Sequence, residues 1–400
     1  MFGSKNNQLI TDTASIAKVL ERRLEKEGIF PSREEAIKRL ASAPQRIYLG
    51  IDPTGSEIHL GHTISILFLK ELWQLGHKPV IVIGDFTARI GDPTGKDATR
   101  KPLSHEEVRK NAKTYFTQLT KILPRGSFEV KYNGDWLDKL NFADVVQLAS
   151  HVTVQQLLKR DMFQERVKAE RPIGLHEFMY PLMQGFDSVA MNIDGEVGGN
   201  DQTFNMLVGR ELEKKLLNKD KLVFATRLLV SETGKKMSKS EGTLIAVNDK
   251  PDDMFGKVMA GVPDDIIDDV FQLCTEKDQV WLDQNRENIK NDPYRFKKEL
   301  GRELVAMYYD KETAEQAQHN FESVFSEGNL PEKMDEFSGA GESILDFIVK
   351  NGLVQSRSEA KSLLEQSAVK VNKEVVKEWG RQLSSSDIVQ VGPKKFAKVK

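Results

Sequence analysis

Residues 46–85 read RIYLGIDPTGSEIHLGHTISILFLKELWQLGHKPVIVIGD, strand-like at both ends and helical between. The stretch opens with Arg46-Ile47-Tyr48-Leu49-Gly50-Ile51, a short β-type run that ends in the turn sequence Asp52-Pro53-Thr54-Gly55. From Leu60 to Leu75 the spacing places Ile64, Leu67, Phe68 and Leu72 on one helical face, and Gly76 supplies a natural stop. Pro79-Val80-Ile81-Val82-Ile83 is continuously apolar, as a parallel strand buried on both faces requires. Strand, helix and strand in that order form a βαβ unit, which predicts a Rossmann-like α/β domain built on a parallel sheet.

Working outward, residues 13–27 carry a helical period through Ile16, Val19, Leu20 and Leu24. Residues 104–171 read mostly as helices, 182–191 continue helical, and 225–230 suggest a further short strand. The pattern is helical throughout 251–325, so an α-helical domain is expected after the sheet. Residues 326–343 are poor in apolar side chains and hold Gly, Pro and Ser, which reads as a linker. Beyond it come helical candidates at 344–349 and 358–366, then β-like pieces at 368–371 and 387–391. That mixture predicts a small α+β domain.

A chain of 400 residues exceeds what one hydrophobic core usually supports, so two or three domains are expected. With 39% hydrophobic and 30% charged residues the composition is that of an ordinary globular protein, not a disordered one. No apolar run approaches the roughly 18 residues of a membrane span. The first residues lack a signal-peptide core and mix acidic with basic side chains. The single cysteine, Cys274, excludes an internal disulfide framework and a Cys-based metal cluster, and a cytoplasmic setting is expected. Net charge is −2, but residues 341–400 hold 11 Lys and Arg against 7 Asp and Glu. A basic tail on an acidic body suggests a polyanionic partner at that end.

Two short constellations carry chemistry. His59-Leu60-Gly61-His62 follows a strand and a turn and opens a helix, where unpaired backbone N–H groups and the macrodipole favour an anion. Two imidazoles there can bond phosphate oxygens, although the same residues also serve as plain helix caps. Lys236-Met237-Ser238-Lys239-Ser240 lies between glycines and suits a polyphosphate whose charge grows during reaction; alone, such a run is more often a solvated basic loop. Tyr180, Gln184 and Asp187 are spaced i, i+4, i+7, so a helix would present them on one face to a small polar ligand or to solvent. Pro181 fits that helix best if it starts close by, with Tyr180 at its beginning.

With both constellations in this order, the sequence resembles the class I aminoacyl-tRNA synthetases, whose motifs are written HIGH and KMSKS. Within them it is similar to the bacterial tyrosyl-tRNA synthetase family through Tyr48-Leu49-Gly50-Ile51-Asp52, residues 180–187 and Gly198-Gly199-Asn200-Asp201-Gln202. The resemblance implies activation of L-tyrosine by ATP with Mg2+, then transfer to the 3′-terminal ribose of tRNA(Tyr). It places Tyr48 and Asp187 at the phenolic hydroxyl of the substrate. Asp92, Tyr180 and Gln184 would hold its amino group, and Gln202 would lie near its carboxylate. Gly50, Asp52, Thr54, His59, Gly61, His62, Gly199 and Asp201 would line the ATP site, with Lys236 and Lys239 closing over the phosphates. Catalytic work falls to Thr54, His59, His62, Lys236 and Lys239, with no dedicated protein metal site. Leu49, Thr203 and the KMSKS spelling, where other members have Cys, Trp and Lys-Phe-Gly-Lys, suggest the second of two bacterial subtypes.

The implied layout is a catalytic domain over 1–245 with a helical insertion at about 95–175 in a homodimer interface. An α-helical anticodon-binding domain would follow over 246–330, then a linker over 331–343. Residues 344–400 resemble the S-four type RNA-binding module, which assigns Arg357, Lys361, Lys370 and Lys373 to salt-sensitive phosphate contacts. Competing readings are a tryptophanyl enzyme or another HxGH nucleotidyl transferase, and a catalytically inert RNA-binding paralogue. Tyrosine-dependent exchange of pyrophosphate into ATP separates them.

Overall fold

Six strands form the sheet that positions the site: β1 (Leu24–Phe30), β2 (Arg46–Ile51), β3 (Lys78–Ile83), β4 (Glu129–Tyr132), β5 (Gly195–Gly199) and β6 (Leu222–Thr226). They lie in the order β1-β6-β5-β2-β3-β4, parallel except for β1, which pairs antiparallel with β6. The structure is a computed structural model that describes residues 7–92, 104–230, 244–325, 334–392 and 395–400. It divides into the units Met1–Gln318 and His319–Lys400.

β2 and β3 are joined through the Leu60–Gln74 helix, as the βαβ reading predicts. The chain leaves β2 toward β3 on one side and returns beside it as β5 on the other. This reversal opens a crevice outside the carboxyl ends of β2 and β5, where open α/β sheets bind ligands. Tyr48 lies within β2, buried, in register with Val80 of β3 and Glu196 of β5.

Three elements differ from the sequence reading. The N-terminal helix stops at Arg22, because Leu24 is buried and pairs with Thr226 at the sheet edge. A helical period cannot register a partner two hundred residues away. β6 begins at Leu222 rather than Ala225. β4 lies within the span read as helical; its four residues, Glu-Val-Lys-Tyr, are too few and too polar to signal a strand.

The Leu175–Met191 helix carries Pro181 in its interior, not at its start. Proline there removes one i→i−4 hydrogen bond, and burial of Tyr180, Pro181 and Leu182 outweighs that loss. This helix crosses Thr203–Leu217 at Gly185 and Gly209, both buried. A Cβ on Gly185 would lie 3.1 Å from the Gly209 backbone and 2.9 Å from Leu212 Cδ1. Helices Pro251–Gly261, Ile267–Cys274, Gln279–Asn291, Pro293–Tyr308 and Lys311–Phe325 fill the expected helical span.

In the second unit a five-stranded sheet runs β7-β11-β10-β8-β9, with β7 (Asp335–Phe337), β8 (Val369–Val371), β9 (Glu374–Val375), β10 (Ile388–Val391) and β11 (Lys395–Val399). Helices Ile344–Lys350 and Arg357–Glu365 pack on it through Phe347, Ile348, Ala360 and Leu364. β7 falls within the span read as linker, and pairs parallel with β11.

Candidate active site

His59 caps the Leu60–Gln74 helix, and its ring stacks on His62 with centroids 3.8 Å apart. Both imidazoles therefore stand at the helix N-terminus, beside Gly61. The preceding backbone is held by the buried Gln118, whose Oε1 accepts from Ile58 N at 2.7 Å. On the other side Leu60 N donates to Ile245 O at 3.1 Å, and Val247 N donates to Ile58 O at 2.9 Å. Lys236 and Lys239 lie outside the described residues. Ile245 and Val247, which follow the undescribed residues 231–243, are bonded in this way to the His59 segment.

Tyr48 is fully buried. Its hydroxyl stands 3.2 Å from Ser188 Oγ and donates to Gln184 O at 3.4 Å. Burial first, then Glu196 and Asp187 nearby, push the phenol well above its ordinary range, so it stays a neutral hydroxyl. Asp187 accepts from Trp136 Nε1 at 2.8 Å and Asn133 Nδ2 at 3.3 Å. Burial pushes its carboxyl well above the ordinary range, outweighing the two N–H donors. Trp136 packs against the Tyr48 cluster and donates to Asp187, so the two expected phenol-binding groups lie close together.

Tyr180, Gln184 and Asp187 do share the Leu175–Met191 helix, each with its own polar partner. Tyr180 OH donates to Asp52 Oδ2 at 2.8 Å, and burial with Asp52 and Asp92 nearby raises its phenol. A residue expected at ATP is thus bonded to one expected at tyrosine, and Asp52 also accepts from Thr87 at 2.6 Å. Gln184 Nε2 donates to Glu196 Oε1 at 3.0 Å. Gln202 Nε2 donates to Asp92 Oδ2 at 2.7 Å.

Gly50, Thr54, Gly199 and Asp201 cluster at the carboxyl ends of β2 and β5 or in the turns just beyond. Arg160 lies over Phe163 and Phe204, at 5.5 and 5.3 Å from their centroids, and interacts with Asp92, Tyr180 and Asp201. In the second unit Arg357 pairs with Asp346, and Lys361 Nζ lies 4.4 Å above the half-exposed Trp379 ring. Lys370 lies in β8, and Lys373 forms the turn into β9 with φ of 73°.

Sequence reasoning missed Thr87, Asn133, Trp136, Ser188, Glu196, Asn205 and Lys221. A signal existed for two of them: Asn133-Gly134-Asp135-Trp136 directly follows β4, at the same end of the sheet as Asp52. Had β4 been recognised, its exit turn would have pointed to the pocket.

The model for tRNA synthetases class I (W and Y) matches residues 40–326, and the S4 domain model matches 344–389. The chain belongs to these class I tRNA synthetases. Its relatives include the tyrosine–tRNA ligase of Mannheimia succiniciproducens, 42% identical over 92% of this chain and 94% of that protein. The tyrosine–tRNA ligase of Carboxydothermus hydrogenoformans is 41% identical over 95% and 98% respectively. Tyrosyl-tRNA synthetase from Archaeoglobus fulgidus, solved with L-tyrosine, shares the fold with TM-score 0.61 over 77% of this chain and all of that one, at 22% identity. Among the class I enzymes the chain falls with the tyrosine–tRNA ligases.

Proposed function

We propose that the pocket between β2, β5 and the Leu175–Met191 helix holds the tyrosine of this ligase reaction, with its phenol toward Tyr48 and Asp187. The single observation that carries the assignment is the buried Asp187 carboxylate beside Tyr48, fixed by Trp136 and Asn133. A substrate hydroxyl gives that buried carboxyl group a further hydrogen-bond partner, whereas phenylalanine supplies none. Tyrosyl-tRNA synthetase is a standard example of such exclusion of phenylalanine.

Asp92, Tyr180 and Gln184 then take the amino group, and Gln202 lies by the carboxylate. That carboxylate attacks the α-phosphate of ATP; the new O–P bond forms as the bond to pyrophosphate breaks. The nucleophile is already an anion, so no protein base is needed. The protein contributes positioning and stabilisation of charge on the leaving pyrophosphate. His59, His62 and Thr54, with Lys236 and Lys239, supply that stabilisation. Gly50, Asp52, Gly61, Gly199 and Asp201 line the nucleotide. Magnesium enters with ATP as part of the substrate, held mainly by phosphate oxygens and water. A terminal ribose hydroxyl of tRNA(Tyr) then attacks the carbonyl and releases AMP.

Arg357, Lys361, Lys370 and Lys373 meet the RNA backbone, and residues 246–330 read the anticodon arm. Two copies associate through a face that includes the exposed Phe142, Val146, Val154 and Leu175, apolar side chains that association would withdraw from water. The setting is cytoplasmic; among the described residues no helix is long and apolar enough to cross a membrane. Exchange of labelled pyrophosphate into ATP, run with each of the twenty amino acids, tests the reading. Tyrosine alone should support it, and exchange that answers to tryptophan instead would refute it.

A further inference from the structure

Tyr48 and Gln184 serve different parts of the substrate, yet both lead back to one buried cation. Lys221, the residue before β6, is fully buried, and its ammonium donates to Ser188 Oγ at 2.5 Å and pairs with Glu196. Ser188 Oγ shares its other hydrogen bond with the Tyr48 hydroxyl at 3.2 Å. The ammonium also lies 5.6 Å from the centroid of the Tyr48 ring. On its second oxygen, Glu196 accepts from Gln184 Nε2 at 3.0 Å. Asn205 Nδ2 donates to Gln184 Oε1 at 3.1 Å and to Gln202 Oε1 at 2.9 Å, and Gln202 in turn donates to Asp92.

The room for this cation is built in. A Cβ on Gly209 would stand 2.7 Å from Lys221 Nζ and 3.0 Å from Ser188 Oγ. Buried ion pairs are poor stabilisers, because desolvation offsets the attraction and apolar replacements of like volume often fold as well or better. A purely structural role is therefore a weak account of a pair whose hydrogen bonds run into the pocket. We propose that Lys221, together with Glu196, is a positioning residue: it orients the Tyr48 hydroxyl and the Gln184 amide so that the site selects tyrosine. The proposal rests on the assignment of Tyr48, Gln184 and Asp187 to the tyrosine pocket.

Pyrophosphate exchange on the full chain tests it, with KM measured separately for tyrosine and ATP and the kcat/KM ratio of tyrosine to phenylalanine compared. Lys221→Met should raise the tyrosine KM roughly 10-fold or more and lower the ratio, with the ATP KM within about twofold of the parent. Glu196→Gln keeps an acceptor for Gln184 and should fall between. Lys221→Met leaves a buried unpaired carboxylate and risks misfolding. The double variant Lys221→Met/Glu196→Met removes both charges, so it should fold with the parent's melting temperature or above and still select tyrosine poorly. A folded double variant with parental tyrosine KM and ratio overturns the proposal. Asp187→Ala separates the two layers. If it too leaves the ratio unchanged, the pocket assignment falls; if it lowers the ratio while the Lys221 variants do not, only the positioning role falls.

Discussion

Asp187 is a carboxyl group withdrawn from water, held by two N–H donors, one of them on the Trp136 ring that packs against the Tyr48 cluster. Leaving such a group unpaired costs more than the net gain of an ordinary hydrogen bond. Asp187→Ala should therefore lose most discrimination between tyrosine and phenylalanine, by about 100-fold or more in the ratio of kcat/KM values. An unaltered ratio would put the selective group elsewhere. Glu213 lies in the same buried layer, where burial pushes its carboxyl from 4.5 up to about 7 despite Lys221 and Lys219 nearby. The unfolded chain releases this proton first, so the stability tied to the neutral form is full below pH 4.5 and is lost as pH rises to about 7. Glu213→Gln should remove that decline, raising stability at pH 8 relative to pH 4.5 by about 3 kcal/mol in urea unfolding. Parallel curves for both proteins would show that the site does not perturb Glu213. That Tyr180, Gln184 and Asp187 share one helix was legible from their spacing, and Tyr48 was singled out by the family resemblance. Lys221, Asn133 and Trp136 were not legible, since only the strand order brings them to the pocket.

Among the elements, the crossing of the Leu175–Met191 and Thr203–Leu217 helices fixes the pocket's depth. In an open helix Gly→Ala stabilises by roughly 0.5–1 kcal/mol. At Gly185 the added methyl meets the Gly209 backbone at 3.1 Å, and backbone cannot yield as a side chain can. Gly185→Ala should therefore destabilise by about 1–3 kcal/mol, lowering the thermal midpoint. A raised midpoint would mean the helices separate freely. β2, β3 and the Leu60–Gln74 helix were readable from the sequence because each is long or apolar enough to declare its own period. β1 and β4 were hidden because their strand character comes from an edge partner rather than from their composition. Pro181 shows the same override, with tertiary burial prevailing over a local rule.

For the whole molecule, the basic excess of residues 341–400 falls in the part of the second unit that the S4 domain model matches. The sheet of that unit includes β7, so a clean removal takes residues 334–400 rather than starting at 341. The truncated chain should keep tyrosine-dependent pyrophosphate exchange and charge tRNA poorly, with the deficit largest at low salt where phosphate contacts are strongest. Full charging by this variant would exclude the unit as an RNA contact. Phe142→Asp/Val146→Asp, two exposed positions one helical turn apart, should shift sedimentation from a dimer to a single chain. A mass that stays put would move the interface elsewhere. The two borders of the main sheet carry a last consequence. β1 forms one border, antiparallel to its neighbour, and β4 ends the other after four residues bearing a Glu129–Lys131 ion pair. A stray strand from another polypeptide would find at β4 only a short, salt-studded ledge, which guards that border against fibrillar growth.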